Sequence, residues 1–299
     1  MRLLKAIQAH KSIGQNPAKP KREIVMCANK IATPEDLRER PIPLREVGAA
    51  SAHDYHDVPI LLDSELATEP LHFVGDHGLA SESYYARRDG LNAPYYKSFA
   101  TASKKVHLRK TVVEKLVSIN RLLERYNAEL YLMDGFRPIE LQFEVWDDFV
   151  AQARSVMDNP TDEECAHYAG FYCSDPRSFD ESNFKTWPTH STGGAIDLSL
   201  RSLESKQELF FGSVFDDATE ISYSDHFEKV SNENSSASIV EARRNRRLLY
   251  WAMLAEGFAN YPYEWWHFDW GTQMWVTNSK EQSLSACYGY MKKPASYDF

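Results

Sequence analysis

Two short stretches of this chain carry the side chains of hydrolytic metal chemistry: His190-Ser-Thr-Gly-Gly-Ala-Ile-Asp197 and Glu264-Trp-Trp-His267. They supply two imidazoles, one carboxylate after the first, and a second carboxylate just before the other. A catalytic zinc ion takes three protein ligands, keeps a fourth position open for water, and works beside a base that accepts the water's proton. If His190, Asp197 and His267 converge, they suit such an ion, one Zn2+ per chain, with Glu264 as the base.

The spacing constrains the backbone. His190 and Asp197 are seven apart, and an odd separation on a regular strand points two side chains to opposite faces. The chain must therefore bend between them, and Gly193-Gly194 permits the bend. The expected arrangement is His190 on a loop and Asp197 on the strand that follows. Glu264 and His267 are three apart and need a helical turn or a bulge to share a side, here read as a distortion at a strand end. Trp265 and Trp266 would wall the site and restrict water. A third stretch, Met133-Asp-Gly-Phe-Arg-Pro138, places Arg137 where a strand hands over to a helix. A cation beside helix N–H groups suits an anion or a developing oxyanion.

Each residue alone also has an ordinary reading. Taken alone, His190 reads more readily as a loop histidine than as a ligand, Asp197 reads as a turn or cap residue, Glu264 as a surface charge, His267 as a half-buried imidazole, and Arg137 equally as one half of a structural ion pair. The tryptophans are as well explained by a core. Only the combination points to a metal.

Several elements must position these residues. Lys110 to about Asn127 has helical spacing, with Val113, Leu116, Val117 and Leu123 on one side. Glu129 to Asp134 reads as a strand, and Pro138 suits the first turn of the helix after it, where no N–H is needed. That helix ends before Asn159-Pro160. Ala195 to Leu200 reads as a strand, and 237–256 as an Arg-rich helix stopped by Gly257. Asn260 to Trp270 is aromatic and strand-like. Helices and antiparallel strands in separate runs predict a compact α+β domain. Residues 1–45, rich in proline and basic side chains, read as an N-terminal extension, with Ile24–Cys27 apolar enough to lie on a surface. Residues 46–299 form the domain.

The chain has 299 residues and a formal charge of −9. That balance argues against a nucleic-acid partner, since phosphate binding needs clustered positive charge. Four scattered cysteines without a C-x-x-C pair argue against a thiolate zinc site and for a reducing compartment, although Cys165 and Cys173 are close enough in sequence to pair. No stretch approaches the ~20 apolar residues that span a bilayer, and the first residues lack a signal-peptide core. The expectation is a cytoplasmic protein with no membrane partner.

The order Asp-Gly-Phe-Arg-Pro, then His-x-x-Gly-x-Ala-x-Asp, then Glu-Trp-Trp-His resembles the D-alanyl-D-alanine dipeptidases of the VanX type. They belong to a zinc peptidase family, M15, that also contains D,D-carboxypeptidases. The resemblance covers about residues 70–270. Phe211-Gly212-Ser-Val-Phe215-Asp216 looks like the family's Gly-x-x-Phe-Asp segment, and Asn245-Arg-Arg-Leu with Gly257-Phe258 leads into the last motif as in relatives. The resemblance implies a small α+β domain with a mainly antiparallel sheet flanked by helices. It implies zinc ligands at His190, Asp197 and His267, Glu264 as base and proton donor, and Arg137 on the oxyanion. Asp134 and Asp216 match acidic family positions as supporting or amine-binding residues. The implied substrate is a small dipeptide, D-Ala-D-Ala.

One departure matters. These dipeptidases usually carry Ser two residues before the first ligand, and here Pro188 stands there. Proline donates no hydrogen bond, so recognition at one end of the dipeptide is expected to change. A D,D-carboxypeptidase or a dipeptidase of other range is the alternative within the family. A zinc-bound binding module, as in hedgehog domains, is the alternative of another class; the presence of both Glu264 and Arg137 favours an enzyme.

Overall fold

The computed structural model describes residues 36–45, 54–231, 235–279, 284–294 and 297. Its centre is a five-stranded sheet. In chain order the strands are β2 (Ala80–Ser81), β4 (Ala128–Asp134), β5 (Ala195–Ser202), β6 (Ala259–Asn260) and β7 (His267–Asp269). Across the sheet they run β2-β4-β5-β7-β6. Only β2 and β4 pair in parallel; the other pairs are antiparallel. A small antiparallel ladder joins β1 (Leu71–Phe73) to β3 (His107–Arg109).

Alternation along the strands divides the sheet into two faces. Leu130, Leu132, Leu198 and Leu200 are wholly buried. Helices α1 (Lys110–Leu123) and α4 (Ala237–Ala255) pack against β4, β5 and each other. Val112, Val113, Leu116, Ile119 and Leu123 form the buried side of α1, three and four residues apart as a helix requires. The helix passes into a 3-10 turn that ends at Asn127, in the left-handed region at φ 53°. The intervening residues Asp197 and Ser199 lie on the opposite face of β5, where the chemistry-bearing residues gather.

Helix α2 (Ile139–Val156) follows β4 directly. Pro138 stands one position earlier than expected: it is the extended residue before the first turn, at ψ 151°. Helix α3 (Asp162–Ala169) packs on α2 and begins with a reciprocal Thr161–Glu164 capping box. The 260–270 segment departs from the sequence reading. It is not one strand but β6, a tight turn and β7, with α5 (Gln273–Asn278) after it. Alternating aromatics look alike in a strand and in a turn packed on its neighbours, so composition could not separate the two.

Part of the N-terminal segment lies on the body of the protein. Leu37 and Ile42 are buried. Arg40 stacks on Trp251 of α4 at 3.4 Å, and the Trp251 indole N–H donates to the Arg40 carbonyl. Ile24–Cys27 lies outside the described residues. Cys165, Cys173 and Cys287 are free thiols. Among the described residues no helix is long and apolar enough to cross a membrane.

Candidate metal centre

Three neighbouring strands place three polar side chains in one row. Asp134 is the register partner of Asp197, and Asp197 is the partner of His267. The first pairing depends on a bulge in β4. Leu132 pairs with Leu198 and Asp134 with Asp197, so Met133 is the extra residue. In a regular strand Asp134, two residues after Leu132, would share its apolar face; the bulge at Met133 turns it towards Asp197.

His190 reaches the row from outside the sheet. It lies in a 3-10 turn, Thr189–Thr192, closed by Gly193 at φ 75°. Gly194 then admits the strand: a Cβ there would come within 2.6 Å of the Trp270 carbonyl. The glycine pair thus supplies both the bend and the close approach.

The donor atoms form a small triangle. His190 Nε2 is 3.3 Å from Asp197 Oδ2 and 3.3 Å from His267 Nδ1. His267 Nδ1 is 3.0 Å from Asp197 Oδ1. A tetrahedral zinc ion with ligands at ~2.0–2.1 Å has donor-to-donor edges of about 3.3 Å. Two nitrogens and a carboxylate, all buried, therefore fit a zinc ion in donor type and in spacing.

Outer partners fix both imidazoles. His190 Nδ1 is 2.9 Å from the Gly135 carbonyl. His267 Nε2 is 2.8 Å from Asp269 Oδ2, and the other oxygen of Asp269 accepts from Thr189 at 2.6 Å and Thr272 at 2.7 Å. Such partners orient a metal-binding imidazole and raise its basicity. Burial would lower the His267 pKa, but Asp269 and Asp197 outweigh it and raise it well above the usual range. Burial would likewise raise Asp197, yet His190 and His267 hold it far below the normal carboxylate value.

Glu264 approaches from the turn between β6 and β7. The Glu264 N–H donates to the Tyr261 carbonyl, and the His267 N–H to the Glu264 carbonyl. This i to i+3 geometry puts Glu264 on the side of His267, with Oε2 3.8 Å from Nδ1. Asn260 spans the turn, its amide donating to the carbonyls of both Glu264 and His267. Burial, countered in part by His267, pushes Glu264 up to about 7. Some 30% of its side chain still reaches solvent, so the carboxyl is not sealed from water.

Arg137 is buried beside the triangle. It gives two hydrogen bonds to Asp134 Oδ2, one to Gln142 and one to the Tyr85 hydroxyl. Its Nη2 lies 3.6 Å from Asp197 Oδ2. Burial acts to lower its pKa, but Tyr85, Asp134 and Asp197 raise it further above the ordinary value. Asp134 itself is also 3.4 Å from His190 Nδ1. Asp216 completes the flank in a left-handed conformation, φ 56°. It accepts from Tyr95 at 2.7 Å and Tyr85 at 3.4 Å. Burial and the charge of Asp197 push its pKa well above that of a normal carboxyl.

The structure thus gathers all seven residues singled out in the sequence. It also adds Asp269, Thr189, Thr272, Asn260, Gln142, Tyr85 and Tyr95. Asp269 had a signal: it stands two residues after His267 in a strand, which puts it on the same face. The tyrosines and Gln142 had none, because their proximity is purely tertiary.

Comparison with known proteins agrees with the motifs. A family model described as D-ala-D-ala dipeptidase, Peptidase_M15, matches residues 67–284. The chain is 28% identical over 156 residues to a D-alanyl-D-alanine dipeptidase of Synechocystis sp., covering 50% of this chain and 62% of that protein. It is 31% identical over 141 residues to one from Enterococcus faecalis, covering 46% and 60%. For one from Enterococcus faecium the identity is 26% over 194 residues, covering 64% and 86%. The matches to the first two relatives thus span about three fifths of their lengths. A solved structure of a mutant vancomycin resistance D,D-pentapeptidase VanY in complex with Zn(II) aligns at a TM-score of 0.36 and 15% identity, over 62% of this chain and 87% of that one. The family match extends over well more than half of the sequence and includes every residue of the site, and the chain belongs to the Peptidase_M15 family.

Proposed function

We propose that this chain is a zinc-dependent dipeptidase that hydrolyses D-Ala-D-Ala to D-alanine. The observation that carries the reading is the triangle of His190 Nε2, the Asp197 carboxylate and His267 Nδ1, with the Glu264 carboxylate 3.8 Å from one corner. The substrate assignment is supported by the family match and by the names of the similar proteins.

His190, Asp197 and His267 would hold the ion, which when bound would supply Lewis-acid activation of a water molecule and of a carbonyl. Glu264 takes the attacking water's proton and passes it to the leaving amine, a role supported by its carboxylate lying 3.8 Å from His267 Nδ1 at the edge of the triangle. Arg137, kept charged by its carboxylate neighbours, donates to the oxygen that gains charge as the peptide carbonyl is attacked. Asp134 holds Arg137 in place. Asp216, at the far side of Tyr85, receives the substrate's ammonium group, whose charge favours the ionised carboxylate. Gln142 and Asp269 orient Arg137 and His267.

The test is hydrolysis by zinc-loaded protein of D-Ala-D-Ala, L-Ala-L-Ala and a pentapeptide ending in D-Ala-D-Ala, with Glu264→Gln and a chelator as controls. Selective cleavage of free D-Ala-D-Ala, abolished by both controls, is expected. Preferential cleavage of the pentapeptide would move the assignment to a D,D-carboxypeptidase. Turnover that survives full removal of zinc would sink the metal mechanism.

A further inference from the structure

The turn that carries Glu264 is held on its inner side by Asn260. Its outer side is held by aromatic rings. Tyr263 meets Tyr223 edge to face, with ring centres 5.3 Å apart at 88°. Tyr263 also packs on Tyr261, whose ring stands 5.8 Å from that of His267. The Ser224 N–H donates to the Pro262 carbonyl, tying the same turn to the 223–225 segment.

A residue of the N-terminal segment closes this stack. The guanidinium carbon of Arg45 lies 4.1 Å from the centre of the Tyr223 ring and 4.6 Å from that of Tyr263. The Arg45 N–H donates to Asp225 Oδ2 at 2.9 Å, which fixes its backbone beside the rings. Arg45 Nη1 is buried and has no hydrogen-bond partner among the described residues. The ring faces therefore hold that end of the group. Stacking of a planar, weakly hydrated cation on aromatic faces is a role that arginine fills and most side chains cannot.

We propose that Arg45 is a positioning residue for Glu264. It clamps Tyr263 against Tyr223, and so keeps the 261–264 turn in the conformation that holds the Glu264 carboxylate at the metal centre. On this account the N-terminal segment contributes to the reaction although none of its described residues touches the metal triangle. The proposal rests on the reading of Glu264 as the base.

The experiment uses the full zinc-loaded chain with Arg45→Met, which keeps length and removes the cation, and Arg45→Lys. For Arg45→Met we expect kcat on D-Ala-D-Ala to fall at least tenfold, with KM within twofold and one zinc per chain. Arg45→Lys should recover at least a third of wild-type kcat, since an ammonium also binds ring faces. Amide hydrogen exchange supplies a readout that needs no turnover. Glu264 and Trp265 should exchange at least tenfold faster in Arg45→Met, while Leu116 and Ile119 in α1 stay unchanged. A kcat within twofold of wild type overturns the proposal, and so does faster exchange that extends through α1, which would mark a general loss of stability. If wild-type protein fails to cleave D-Ala-D-Ala, the dipeptidase reading falls separately. Exchange at Glu264 and Trp265 then decides whether Arg45 holds the turn.

Discussion

Arg137 and Arg246 are both buried, and each joins several segments of chain, yet their surroundings differ in kind. Arg137 faces Asp134, the hydroxyl of Tyr85 and the edge of Asp197. Arg246 has no carboxylate partner among the described residues: its guanidinium donates to the carbonyls of Phe211, Ile221 and Tyr223, each at 2.8 Å, and lies over the Phe227 ring at 4.5 Å. The consequences for pKa are opposite. Carboxylates and a tyrosine more than offset burial at Arg137 and raise its pKa. At Arg246 burial dominates, opposed only by the more distant Asp217 and Asp225, and its pKa drops to about 9. A buried guanidinium thus serves two ends. Among carbonyls it is a directional staple that orders a loop, here the 211–223 loop that carries Asp216. Among carboxylates its charge is reinforced, and on the proposed mechanism that charge serves the oxygen that becomes negative.

One substitution applied to both sites tests the distinction. Arg137→Lys keeps the charge but loses the fork of donors. We expect kcat to fall by about 10²-fold, in the range of a lost oxyanion donor and far beyond what the accompanying loss of buried hydrogen bonds does to the folded fraction. Arg246→Lys should leave kcat within about threefold and lower stability by about 2 kcal/mol, because buried carbonyls lose their donors. Urea unfolding beside steady-state kinetics separates the two. Equal losses of activity at both positions would erase the contrast.

The carboxylate side is sharpened by Asp269, which touches no substrate on our reading. Asp269→Asn should weaken zinc binding by about 10- to 100-fold, through loss of the charged partner of His267. Competition with a chromophoric chelator measures it, and unchanged affinity would remove Asp269 from the site. The smallest effect concerns pH. Glu264 is pushed from its ordinary value near 4.5 up to about 7. An acid whose pKa rises on folding is most stably folded when protonated, so its penalty is absent below pH 4.5 and fully present above about pH 7. In zinc-stripped protein, Glu264→Gln should therefore raise the unfolding temperature at pH 8 and leave it nearly unchanged at pH 5. A gain of equal size at both values would show that titration of Glu264 is not its source.

The residues of the centre were largely legible because they occur in short runs. His190, Gly193, Gly194 and Asp197 lie within eight positions, and the parity of their spacing already required a bend. Glu264 and His267 required a turn in the same way. The helices α1 and α4 were visible in their periodicity and in the residues that stop them. The 260–270 segment was misread as one strand because its aromatics suit a strand and a packed turn equally. Asn260, which decides the matter by bridging two carbonyls of the turn, looks like any other asparagine in sequence.

The sequence by itself determined the donor types, the two places where the backbone had to bend, and the α+β character of the domain, because these depend on side-chain chemistry and local spacing. Only the tertiary structure decided the rest. The row Asp134–Asp197–His267 exists through strand register and one bulged residue, Met133. Tyr85 reaches Arg137 across 52 positions, and Arg45 reaches Tyr263 across more than 200. Contacts at such separations are set by how the layers close on a shared core, and no local pattern of residues encodes that closure.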